Sequence, residues 1–74
     1  MLIDALVTAR KALGISQTDL ARRLRCHQSI VARIETGLRR IDVSELVILA
    51  RALEADAVEF LEIVERATPD GASI

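Results

Sequence analysis

Residues 16–37 read Ser16-Gln17-Thr18-Asp19-Leu20-Ala21-Arg22-Arg23-Leu24-Arg25-Cys26-His27-Gln28-Ser29-Ile30-Val31-Ala32-Arg33-Ile34-Glu35-Thr36-Gly37. Ser16 is a good helix N-cap, and Asp19 three places on completes a capping box. Ile15 and Leu20 stand where a hydrophobic staple closes such a start. These signals predict a short helix from Gln17 to Arg25, with Leu20, Ala21 and Leu24 as its apolar stripe. A second short helix is predicted over Gln28–Thr36. Val31 and Ile34 are its inward pair, and Gly37 stands where a left-handed residue ends a helix.

The outer face of the second helix then carries Gln28, Ser29, Ala32 and Arg33. It is small and polar, with one long cation. Gln and Arg can make two-pronged hydrogen bonds to the edges of adenine and guanine. Polar residues also cover any solvated helix face, so the face alone does not decide the matter. Two short helices joined tightly, the second presenting such a face, predict a helix-turn-helix.

The chain resembles the Cro/phage-repressor-type (xenobiotic response element, XRE) helix-turn-helix family. The resemblance is carried by Arg10, Gly14-Ile15-Ser16-Gln17, Leu20-Ala21, Leu24, Gln28-Ser29, Val31, Arg33-Ile34-Glu35, Gly37, Arg39-Arg40, Leu46, Leu49-Ala50 and Leu53, and it spans roughly residues 5–62. It implies an all-α, five-helix, lambda-repressor-like DNA-binding domain with the helix-turn-helix at helices 2 and 3. It also implies base contacts from Gln28, Ser29, Ala32 and Arg33. Backbone contacts would come from Gln17, His27, Thr36, Arg39 and Arg40. Arg10 and Glu35 would form a structural ion pair, which sets Glu35 apart from base reading. Arg25 replaces the Gly usual in the turn, His27 a Ser or Thr cap, and Ile41 a common Pro.

Seventy-four residues make one small domain. The hydrophobic fraction is 51% but the aromatic fraction only 1%, so the core must be built from Leu, Ile, Val and Ala. One Cys forbids an intrachain disulfide, which fits an intracellular protein; the resemblance implies the cytoplasm of a prokaryotic cell or phage-infected host. Asp4, Arg10 and Lys11 interrupt the apolar N-terminal stretch, so neither a membrane span nor a signal peptide is expected. The net charge of −1 hides a split. Residues 1–40 carry eight basic and three acidic side chains, a net +5; residues 41–74 carry two and eight, a net −6. Such asymmetry fits a DNA face opposed to a solvent or partner face.

Leu2–Leu13 is the predicted first helix, with Leu2, Leu6, Ala9 and Leu13 as its stripe and Gly14 as its stop. Ile3 and Val7 lie off that stripe; they either widen the core face or mark a contact. Asp42 with Glu45 predicts the cap of helix 4, whose inner face is Leu46, Leu49, Ala50 and Leu53. Asp56, with Glu59 three places on, predicts the start of helix 5 over Ala57–Ala67. Residues 1–67 then form the domain, and 68–74 a flexible tail. Phe60, Leu61, Ile63 and Val64 cover more of helix 5 than one small core can use. Val47 and Ile48 add to the excess on helix 4. A homodimer interface of Val47, Ile48, Phe60, Ile63 and Val64 is therefore expected.

Cys26 and His27 are neighbours with no further Cys or His, too few for a metal site or a nucleophilic triad. His27 could touch phosphate or a base edge, or simply be a poor cap. Arg22, Arg23 and Arg25 could meet phosphates or form a solvated face. No enzyme, cofactor or metal is expected. The reading is a dimeric, sequence-specific repressor of a small operon or mobile element, acting on an inverted-repeat operator in double-stranded DNA. Restriction–modification controllers and phage-type repressors are the roles the resemblance implies. The alternative is an antitoxin or interaction module whose main partner is another protein, such as a toxin or polymerase.

Overall fold

The computed structural model describes residues 2–74. It holds α1 (Leu2–Ala12), α2 (Gln17–Leu24), α3 (Gln28–Glu35), α4 (Val43–Ala52) and α5 (Ala57–Ala67). The starts of α2, α4 and α5 follow from their caps. Ser16 Oγ accepts the Asp19 N–H at 3.0 Å and Asp19 accepts the Ser16 N–H at 3.1 Å. Asp42 and Glu45 make the same reciprocal box at 2.7 and 3.0 Å. At α5 the Asp56 carboxylate takes the Val58 N–H instead, and the Glu59 N–H goes to the Asp56 carbonyl.

The stops of α1, α2, α3 and α4 share one geometry. Gly14, Arg25, Gly37 and Glu54 all have positive φ, between 54° and 78°. Each lies just past a helix and closes it with a paired return of N–H groups, as in Leu38 N–H to Arg33 O and Gly37 N–H to Ile34 O. Arg25 (φ 57°) thus takes the conformation that glycine would take, at a cost of roughly 1 kcal/mol for its Cβ. The turn is left-handed without a glycine. α1, α2 and α3 each stop one residue short of the sequence expectation, because Leu13, Arg25 and Thr36 belong to the stops.

α3 packs on α2 and α1, α4 on α2 and α5, and α5 closes back on α1. The core is Leu6, Leu20, Ala21, Val31, Ile34, Leu46, Leu49, Ala50, Leu53 and Phe60. Phe60 corrects the sequence reading. It was expected at the dimer surface, but it is 5% exposed and fills the core between the helices. A large ring at the one aromatic position removes more apolar area from water inside the fold than any aliphatic neighbour could. Ile63 also packs against the core from its edge. Ile3 lies beneath the α3–α4 loop, with its Cδ1 only 3.3 Å from where a Cβ on Gly37 would stand. Cys26 packs against the core as a small hydrophobe.

Candidate nucleic-acid interface

Three helices converge on a line of polar side chains. Arg10 of α1 donates from Nε and Nη2 to the two Glu35 oxygens at 2.7 and 3.0 Å, and from Nη1 to the Ile15 carbonyl at 2.9 Å. The pair is nearly closed to solvent, at 11% and 7% exposure. Glu35 Oε1 also accepts from Gln17 Nε2 at 3.0 Å, and Gln17 Oε1 accepts from Gln28 Nε2 at 2.7 Å. Burial pushes the Glu35 carboxyl up. The hydrogen bonds from Arg10 and Gln17, with the Arg10 charge, outweigh that and hold it below the usual range. Arg10 is raised in turn, chiefly by its bond to Glu35.

This network fastens the start of α2 and both ends of α3 to α1. The outer face of α3 is left clear. Gln28, Ser29 and Arg33 are exposed on it, and Ala32 lies half-buried among them. Arg33 makes no ion pair among the described residues. Thr36 is exposed at the far end, but its hydroxyl donates back to the Ala32 carbonyl at 2.9 Å. His27 is the N-cap of α3 and makes no side-chain cap bond.

The two loop arginines differ. Arg40 is exposed. Arg39 is half-buried and donates to Glu45 at 2.8 Å, a bond that raises Arg39 and lowers Glu45. Arg23, left open by the sequence, is a structural clamp. Its Nη1 donates to the Ala52 carbonyl at 2.9 Å and to Glu54 at 3.1 Å, tying α2 to the end of α4. Sequence reasoning did not pair Arg23 with Glu54 or Arg39 with Glu45. A separation of 31 residues gives the first pair no local signature, whereas the second, six apart across a cap, was within reach.

The expected interface residues scatter. Ile48 is half exposed, Val47, Ile63 and Val64 are half-buried, and Phe60 is core. The apolar side chains that α5 does present are Val58 and Leu61, at 57% and 54% exposure.

A short, capped two-helix unit with a clear polar face defines a helix-turn-helix DNA-binding domain. The helix-turn-helix family model matches residues 6–60. A solved XRE-family-like protein from Pseudomonas syringae pv. tomato str. DC3000 is 41% identical, with a TM-score of 0.81 over 92% of this chain and 83% of that one. The chain belongs to the XRE/Cro-type helix-turn-helix family of DNA-binding transcriptional regulators. Two point mutants of the restriction-modification controller protein C.Esp1396I share the fold. One is 23% identical with a TM-score of 0.76, over 88% of this chain and 84% of that one. The other is 21% identical with a TM-score of 0.76, over 96% and 90%. A search of curated proteins gives no match. Among the described residues no helix is long and apolar enough to cross a membrane, and no group of His, Cys, Asp or Glu could hold a metal ion.

Proposed function

We propose that this chain is a dimeric repressor that reads an inverted-repeat operator with α3. The observation that carries the reading is the exposed face of Gln28, Ser29 and Arg33, held in place by the Arg10–Glu35–Gln17 network. Gln28 pairs with adenine and Arg33 with guanine, while Ala32 meets a thymine methyl. Arg40 and the start of α2 at Gln17 grip phosphates, helped by His27, Thr36 and the outer nitrogens of Arg39. The basic first half faces the duplex, and the acidic second half faces away.

Dimerisation runs through the outer face of α5, with Val58, Leu61 and the half-buried Val64 at three-residue spacing, and Ile48 of α4 beside them. A twofold contact there sets two copies of α3 about 34 Å apart, one turn of the duplex. The regulated unit is a small operon or mobile element in a prokaryotic cell or phage-infected host. The resemblance in fold to a restriction-modification controller favours a role of that kind.

Binding-site selection with the purified chain tests this. The expected product is an inverted repeat with half-site centres about 10 base pairs apart. Recovery of unrelated sequences would refute specific reading, and recovery of single half-sites would refute the dimer.

A further inference from the structure

Glu35 is almost closed to solvent and lies behind the face that Gln28 presents. A carboxylate can only accept hydrogen bonds. Both of its oxygens take N–H groups of Arg10, and Oε1 also takes one N–H of the Gln17 amide. The Gln17 amide therefore has one orientation. Its nitrogen faces Glu35, and its oxygen faces Gln28. That oxygen accepts one N–H of Gln28 at 2.7 Å. Gln28 is turned with its nitrogen toward Gln17, and it keeps one N–H and its oxygen for an outside partner.

We propose that Glu35 is a positioning residue for base reading: through Gln17, its acceptor-only carboxylate selects the orientation of the Gln28 amide that pairs with adenine. The proposal rests on the reading of Gln28 as a base-contacting residue. One N–H beside one oxygen matches the N7 acceptor and the N6 amino donor of adenine. Turned over, Gln28 would engage its oxygen with Gln17 and offer N–H groups outward, which suit the N7 and O6 acceptors of guanine. The choice between purines at that position is thus made two side chains away, by a residue that touches no DNA. The same orientation leaves Gln17 a spare N–H, and phosphate oxygens are acceptors.

The test is titration of wild type, Glu35→Gln, Gln28→Ala and the double variant on operator duplexes that differ only by adenine or guanine at the Gln28 position. Glu35→Gln should lower the adenine-over-guanine preference by about tenfold at one position per half-site. Preference at the Arg33 position should not change. In the Gln28→Ala background, Glu35→Gln should leave base preference untouched. A uniform loss of affinity on every sequence, in both backgrounds, would show a purely structural role and overturn the relay. Gln17→Met leaves the Arg10–Glu35 pair in place, so it should reproduce the lost discrimination, and it decides the question if Glu35→Gln does not fold. If Gln28→Ala keeps the wild-type motif, Gln28 reads no base, and the base-contact reading falls together with the relay. If Gln28→Ala changes the motif but neither Glu35→Gln nor Gln17→Met does, the relay alone is wrong.

Discussion

The outer faces of α3 and α5 start from similar helices and end opposite in character. Both helices put apolar residues inward, Val31 and Ile34 in α3 and Ala57, Phe60 and Ile63 in α5. The outward residues of α3 are polar, and the first of them is pinned through Gln17 to a nearly buried ion pair. Those of α5 are Val58 and Leu61, fringed by Glu59, Glu62 and Glu65, all exposed. One face suits a partner that is charged and rich in hydrogen-bonding groups. The other suits an apolar partner. Neither face contributes to the buried core.

The largest expected effect separates the two faces by charge. DNA affinity should fall roughly 10³–10⁵-fold between 50 and 200 mM salt if the dimer makes 6–10 phosphate contacts. Self-association through α5 should change little over the same range, because an apolar contact is weakly screened. Titration of the selected operator and sedimentation at matched salt check both. A flat DNA response would break the contrast.

Next in size is the support beneath α3. Arg10→Met leaves Glu35 buried without its partner and should cost about 3–5 kcal/mol of unfolding free energy. Its pH dependence has a definite sign. In wild type the Glu35 pKa lies below its ordinary value of 4.5, so its stabilisation is present above that pH and is lost as pH falls through the depressed value. Without Arg10, burial, the largest influence on the carboxyl, is opposed only by the Gln17 bond and the Lys11 charge, so the carboxyl rises and acid costs the fold less. The gap between wild type and variant should narrow below about pH 5. Urea unfolding at pH 4 and pH 7 measures this.

Leu61→Glu probes the apolar face. It should give a monomer by light scattering and weaken operator binding about a hundredfold while circular dichroism stays helical. A dimer that survives it moves the interface off the outer face of α5. Arg33→Ala probes the polar face and should relax base preference at one position per half-site, by about 1–3 kcal/mol. Arg40→Ala should instead weaken all sequences alike. An unchanged selected motif for Arg33→Ala would refute base reading by that residue.

The smallest effect compares the two ends of the helix-turn-helix unit. α2 stops at Arg25 and α3 at Gly37, both left-handed. Arg25→Gly should relieve the Cβ strain and raise stability by about 0.5–1 kcal/mol. Gly37→Ala should lower it by more than that, since the new Cβ would also press on Ile3. Thermal melts of the two variants rank them.

Much of this was legible locally. Ser16 with Asp19 and Asp42 with Glu45 are caps whose partners sit three residues apart, so the chain declares them before it folds. The stripe of Leu20, Ala21, Val31 and Ile34 follows from helix periodicity alone. The same periodicity located the α3 face, and the family pattern paired Arg10 with Glu35. Helix 5 was less readable, because an apolar residue occurs on nearly every side of it. Val58, Leu61 and Val64 form one possible stripe, and Ala57, Phe60 and Ile63 another, one residue out of phase.

Local sequence therefore determined where the helices start, where they stop and which face of α3 is polar, because caps and periodicity act over three or four residues. Only the tertiary structure decided which stripe of α5 is inside. That choice depends on how the turn at Glu54 and Ala55 aims α5 against α1 and α4, and it sends Phe60 into the core and Leu61 to the surface. The same holds for Arg23 and Arg39. The charge of each suits a phosphate, and folding brings a carboxylate to each, at 3.1 and 2.8 Å. Charge is written in the sequence, but its partner is set by distance, and distance between elements exists only once the core has closed.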